Sequence, residues 1–131
     1  MPAPESTPLT QPCLIVADRN ALFTVQVQRT FRRLGWDVYE AHNGPEARRL
    51  SHLMEADVVI LDADRLEESG WLTCDKLLRE RPQVRVVLVA DEEDEMRESF
   101  AAFVGAIALV PRSAGVDGLL REVCGLSAAV G

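Results

Sequence analysis

Asp18 and Asp62 each follow a short apolar run, Leu14-Ile15-Val16-Ala17 and Val58-Val59-Ile60-Leu61. A carboxylate that ends an apolar strand belongs at the rim of a sheet, because burial in the core would strip it of water without a partner. Asp64 stands two residues past Asp62, and Asp91 follows the apolar run that ends at Ala90. Arg19 follows Asp18, and Arg112 follows Pro111. If these runs are parallel strands, their carboxyl ends share one edge, which is where ligands of open α/β sheets bind. Asp18, Asp62 and Asp64 bring three negative charges there, and Arg19 and Arg112 bring two positive ones. Carboxylates about 4 Å apart repel by about 4 kcal/mol at an effective dielectric of about 20. The cluster therefore needs a cation, either Mg²⁺ or an arginine.

The elements that must position these groups follow from apolar periodicity. Strands are predicted at Cys13–Ala17, Asp37–Ala41, Val58–Leu61, Val84–Ala90 and Ile107–Val110. Between them lie stripes at helical spacing: Phe23, Val27, Phe31 and Leu34; Ala47, Leu50, Leu53 and Met54; Leu72, Leu77 and Leu78. Met96, Phe100, Phe103 and Val104 give a fourth stripe, and Val116, Leu119, Leu120 and Val123 a fifth. Strict alternation of five strands and five helices predicts a parallel sheet with right-handed crossovers. Strands one, three and four are apolar on both parities, as strands covered on both faces are. The second is mixed, as an edge strand is. Gly35, Gly70 and Gly105 mark turns or helix ends, where a left-handed residue is often needed. Residues 1–12, with Pro2, Pro4, Pro8 and Pro12, read as a flexible leader, 13–126 as the folded domain and 127–131 as a flexible tail.

Net charge is −7, and no basic stripe interrupts it, which argues against nucleic acid or an anionic membrane as a partner. The one dense run of like charge is acidic, Asp91-Glu92-Glu93-Asp94-Glu95. It reads as a charged helix start, with an acidic docking patch as the functional alternative. Cys13, Cys74 and Cys124 are far apart and odd in number, which suits thiols in a reducing compartment rather than a disulfide framework or a zinc site. The longest uncharged stretch, Phe100–Pro111, falls short of the roughly 20 residues that cross a bilayer, and a signal peptide pattern is missing. The cytoplasm is the expected location. His42 and His52 read as surface or helix-end residues.

The order and spacing of these pieces resemble the receiver domain of two-component response regulators, over about residues 13–125. Leu14-Ile15-Val16-Ala17-Asp18 is similar to the family's first strand and its acidic end. Asp62 falls at the phosphoacceptor place, Gly70 where the family opens its third helix, and Gly105-Ala106 through Pro111-Arg112-Ser113 resembles the signature around strand five. The resemblance implies a flavodoxin-like (βα)5 three-layer sandwich, with a five-stranded parallel sheet in the order 2-1-3-4-5. It also implies protein partners, a histidine kinase or a downstream signalling protein, through the face formed by helix four, strand five and helix five. A homodimer through that face stays open.

Against the family pattern this chain is atypical. The second acid after strand one, which normally helps hold Mg²⁺, is Arg19; the Thr or Ser ending strand four is Ala90; the strand-five switch aromatic is Leu109; and the Lys after that strand is Arg112. Phosphoryl transfer rests on positioning and charge neutralisation, so these changes remove parts of both. The expectation is a non-enzymatic interaction module, with no cofactor and at most weak Mg²⁺ held by Asp18, Asp62 and Asp64. Arg19 is expected to enter the pocket in the metal's place. The alternative keeps Asp62 as a phosphoacceptor fed by a histidine kinase. Asp62-Ala63-Asp64 also resembles the first motif of haloacid-dehalogenase-type phosphatases, a remoter reading, since that motif normally stands near the N-terminus.

Overall fold

The computed structural model describes residues 11–64 and 67–125. Strands β1 (Cys13–Ala17), β2 (Asp37–Glu40), β3 (Val58–Asp62), β4 (Arg85–Ala90) and β5 (Ala108–Pro111) alternate with helices α1 (Ala21–Arg33), α2 (Gly44–Met54), α3 (Gly70–Glu80), α4 (Glu95–Phe103) and α5 (Gly115–Cys124). The strands pair in parallel in the order β2-β1-β3-β4-β5, as the flavodoxin-like expectation has it. Predicted strand ends differ from the observed ones by a residue. Ala41 and Ile107 lie just outside their strands, yet their N–H groups still donate to Val16 and Val86. Most of the leader, all of the tail and Leu126 lie outside the described residues.

Local chemistry sets the helix starts. The side chains of Asn20, Asn43, Ser69 and Asp94 accept from Phe23, Glu46, Leu72 and Arg97 N–H, each satisfying one donor that the first turn leaves open. Every residue of β1 and β3 is buried. Ile15, Val59, Leu61, Leu88, Cys74 and Leu77 pack in the core on the α3 side of the sheet. Leu14, Val16, Phe23, Val27, Phe31 and Leu119 pack on the α1 and α5 side. Burial pushes the Cys13 and Cys74 thiols up to about 11 and about 12, leaving them protonated fillers of the core. His42 and His52 contact Glu46 and Glu80 at 3.1 and 2.9 Å, at the start and on the surface of α2.

Two expectations change. Gly35 and Gly105 have φ of 97° and 95°, as end-of-helix glycines do, but Gly70 is not among the positive-φ glycines. Its reason is contact: a Cβ there would lie 2.3 Å from the Asp62 carbonyl oxygen, while its N–H donates to Ala63 O at 2.8 Å. The other change is in α4. Ala101 is the buried residue of that helix and Val104 packs beside it, whereas Met96 and Phe103 are 81% and 82% exposed. The periodicity is real, but the apolar stripe and the core-facing side of this helix are about a quarter-turn apart.

Because Gly70 is pressed against the backbone that carries Asp62, Gly70→Ala forces that strand end to move. A loss of about 1–3 kcal/mol is expected in urea denaturation with the m-value unchanged. An unaltered midpoint would show that the close approach costs nothing to relieve.

Candidate functional site

The parallel register brings β1, β3, β4 and β5 to a common rim. Ala17 pairs with Leu61, Asp62 with Val89, and Ala90 with Pro111, so the residues that follow each strand cluster at its carboxyl end. Asp18 is 7% exposed and Asp62 is 1% exposed. Pro111 ends β5, and a single 3-10 turn, Arg112–Ala114, begins there and turns Arg112 back over the rim.

Arg112 brings a cation to this pocket. Its Nη2 lies 3.2 Å from Asp18 Oδ2 and 3.1 Å from Asp62 Oδ2, bridging the two buried carboxylates, and its Nε lies 3.4 Å from Asp91 Oδ1. The guanidinium carbon sits 5.5 Å from the centroid of the Phe23 ring, whose face supports the buried charge. The remaining carboxylate oxygens accept from the backbone: Asp18 Oδ1 from Asn20 N–H at 2.8 Å, and Asp62 Oδ1 from Asp64 N–H at 3.2 Å. Burial pushes the Asp18 carboxyl up to about 6, outweighing the opposite pull of the Asn20 N–H and of Arg112.

The other predicted residues fall into place around this bridge. Arg19 is exposed on the turn between β1 and α1, and the bridging guanidinium is Arg112. The Asp64 carboxylate is taken by Arg97 of α4 at 2.7 Å and by Trp71 Nε1 of α3 at 3.1 Å. Ala90 and Leu109 are buried within the core on the α3 side, 1% and 8% exposed. Sequence reasoning missed Phe23 as the platform and Arg97 as the partner of Asp64. Phe23 carried the signal of a core residue alone, and nothing in the spacing of Arg97 points across to β3. A cavity of about 690 Å³ lies at the opposite end of the sheet, lined by residues such as Trp36, Asp57 and Arg81, and takes no part in this pocket.

The family model described as the response regulator receiver domain matches residues 14–123. This chain belongs to that family. Solved receiver structures agree in fold. The Vibrio cholerae chemotaxis protein CheY4 superposes with a TM-score of 0.81 at 17% identity, covering 88% of this chain and 98% of that one. The beryllofluoride-activated DrrB receiver domain gives 0.78 at 22% identity, covering 88% and 97%. A Burkholderia pseudomallei response regulator with a phosphorylated aspartic acid and a calcium ion gives 0.77 at 24%, covering 86% and 66%. No curated protein matches the chain in sequence.

Receiver domains are signalling modules that interact with histidine kinases and downstream effectors, and typical members bind Mg²⁺ at the phosphorylation site. The donor set here does not fit that ion as it stands. The nearest oxygens of Asp18 and Asp62 already share one guanidinium nitrogen, and the residue after Asp18 is a cation, Arg19. Among the described residues no group of three His, Cys, Asp or Glu is arranged to hold a metal ion, and no helix is long and apolar enough to cross a membrane.

A carboxyl raised from 3.8 to about 6 on folding makes the native state bind a proton that the unfolded chain releases. Its contribution to stability is complete below pH 3.8 and is lost as pH rises through about 6. Asp18→Asn removes this dependence. The variant is expected to be more stable than the parent at pH 7, by on the order of 2–3 kcal/mol, with the gap closing toward pH 4. Paired thermal melts across that range measure it; a gap that is constant with pH would mean that Asp18 is not a strained charge.

Proposed function

We propose that this receiver acts as a protein-binding module of two-component-type signalling and does not undergo ordinary Mg²⁺-dependent phosphorylation. The observation that carries the reading is Arg112 Nη2, 3.2 and 3.1 Å from the Asp18 and Asp62 carboxylates. A permanent cation in that position offsets part of the pocket's negative charge without a borrowed ion. The phosphoryl-binding hydroxyl and the moving aromatic are also replaced, by Ala90 and Leu109, and both replacements are packed in the core. A signal that moves these two side chains has no polar group to pull on, so the partner-facing surface keeps one conformation. The face of α4, β5 and α5 is the proposed contact for a histidine kinase or a downstream signalling protein in the cytoplasm, with a homodimer as the alternative occupant.

A second reading has its own support. Arg112 Nη1 is buried without a hydrogen-bond acceptor, which suits an oxygen of a phosphoryl group carried by Asp62. In that reading Asp62 accepts phosphate from a histidine kinase, and Arg112 holds the product. The phosphatase reading gains nothing comparable, since the Asp64 carboxylate is taken by Arg97 and Trp71.

Beryllofluoride with Mg²⁺ separates the two. Trp71 donates to Asp64, two residues from Asp62, so its fluorescence reports on the pocket. No saturable change is expected. A saturable change that Asp62→Asn abolishes would establish the phosphoacceptor and overturn the proposal. The same signal tests the cation. Arg19→Asp alone is expected to leave Mg²⁺ binding weak, because Arg112 stays. Arg19→Asp with Arg112→Met is expected to tighten it by at least about tenfold, or about 1.4 kcal/mol. Equal tightening by Arg19→Asp alone would return the blocking role to Arg19.

A further inference from the structure

Helix α4 presents a surface that the phosphorylation pocket does not explain. Met96, Phe100 and Phe103 are 81%, 45% and 82% exposed, and their spacing of four and three places them on one stripe. The Phe100 ring lies 5.1 Å from Trp71 of α3, and Phe103 stacks on Phe100 at 6.1 Å with the planes 16° apart. The stripe therefore faces the α3 side of α4 and not β5. Single exposed apolar residues are ordinary, but two stacked aromatic rings extended by a methionine form a contiguous patch of the kind that marks an interaction site.

The charge beside the patch names the partner's chemistry. Asp91, Glu92, Glu93, Asp94 and Glu95 are all exposed and lead into the first turn of α4, where Glu98 follows. Asp91 pairs with Arg112, Asp94 caps the helix, and Glu95 and Glu98 complement its dipole in the first turn. Glu92 and Glu93 have no such role, and the neighbouring Glu98 raises the Glu93 carboxyl. Acids crowded next to an exposed aromatic stripe repel one another until a cation joins them. A second copy of this chain would bring an identical acidic run and another net charge of −7 to the contact.

We propose that the α3–α4 face, centred on Met96, Phe100 and Phe103, docks a cationic amphipathic helix of another protein. Aliphatic side chains of that helix cover the aromatic stripe, and its lysines or arginines lie along residues 91–98. The site is separate from the α4, β5 and α5 face and does not depend on whether Asp62 is phosphorylated, so either idea can fail while the other stands.

A Leu/Lys peptide of amphipathic helical pattern, titrated into the full chain and followed by amide shifts, is the test. The expected result is saturable binding that shifts residues of α3 and α4, weakens with salt and weakens by at least about tenfold in Phe103→Asp. Phe103 is outside the core, and a circular dichroism spectrum confirms that this variant is folded; Met96→Asp serves as a second variant with the same expected loss. Glu92→Lys with Glu93→Lys is expected to weaken binding and flatten its salt dependence. Binding of a Ser/Lys peptide as tight as that of the Leu/Lys peptide would overturn the proposal, because charge alone would then explain it. Unchanged affinity in both aspartate variants, shifts confined to other elements, or a homodimer of the native chain that Phe103→Asp dissociates would each overturn it as well.

Discussion

Two buried carboxylates stand at the ends of neighbouring strands of one parallel sheet, and the Arg112 guanidinium bridges them. Asp18 and Asp62 both sit at the rim with almost no access to water. Without a cation their repulsion, added to the cost of burying each, would open the rim. Arg112 reaches both because β5 stops at Pro111 and the chain tightens into a 3-10 turn, and because Phe23 of α1 supplies an apolar face for the guanidinium. Three elements that are distant in sequence thus converge on one charge. The Asp18 carboxyl still rises to about 6, so the arginine offsets the burial only in part. The pocket remains a strained place in an otherwise well-satisfied fold.

The strand pattern was legible in the sequence because β1, β3 and β4 are covered on both faces and their apolar runs are unbroken. The acids that follow them were legible for the same reason: a charge at the end of such a run has one place to go. That Arg112 bridges the two acids was not legible. Arg19 and Arg112 both follow a strand end, and the choice depends on backbone direction after the strand and on what lies beneath the side chain. Phe23 could not announce itself as that platform, since its spacing with Val27 and Phe31 already assigned it to the core. Gly70 was found by position but for a different reason, since contact with the Asp62 backbone is a tertiary fact. The α4 stripe shows the same limit. Periodicity tells that a helix has an apolar side, and only packing tells whether that side meets the core.

Asp64 connects the pocket to the outer layer. Its N–H donates to Asp62, while its carboxylate holds Arg97 of α4 and Trp71 of α3. Trp71 in turn touches Phe100. A contiguous chain of contacts therefore runs from the acidic rim to the exposed face of α4 without passing through Ala90 or Leu109. Contiguity is not coupling, and a two-state element that both ends bias is what coupling requires. The contacts available for such an element are ion pairs and ring contacts at the surface, which rearrange far more readily than the buried Ala90 and Leu109 side chains.

The difference between a guanidinium and a metal ion is one of conditionality. A divalent ion neutralises the rim only when it is bound, so its affinity and concentration enter every equilibrium of the site. Arg112 is part of the chain and is present at all times. In the proposed reading, a rim whose charge is offset in part from within holds one surface at all times, and its output is set by which partner is present and how much of it. The buried Arg112 Nη1, without an acceptor, is a feature of the pocket that still favours an anion.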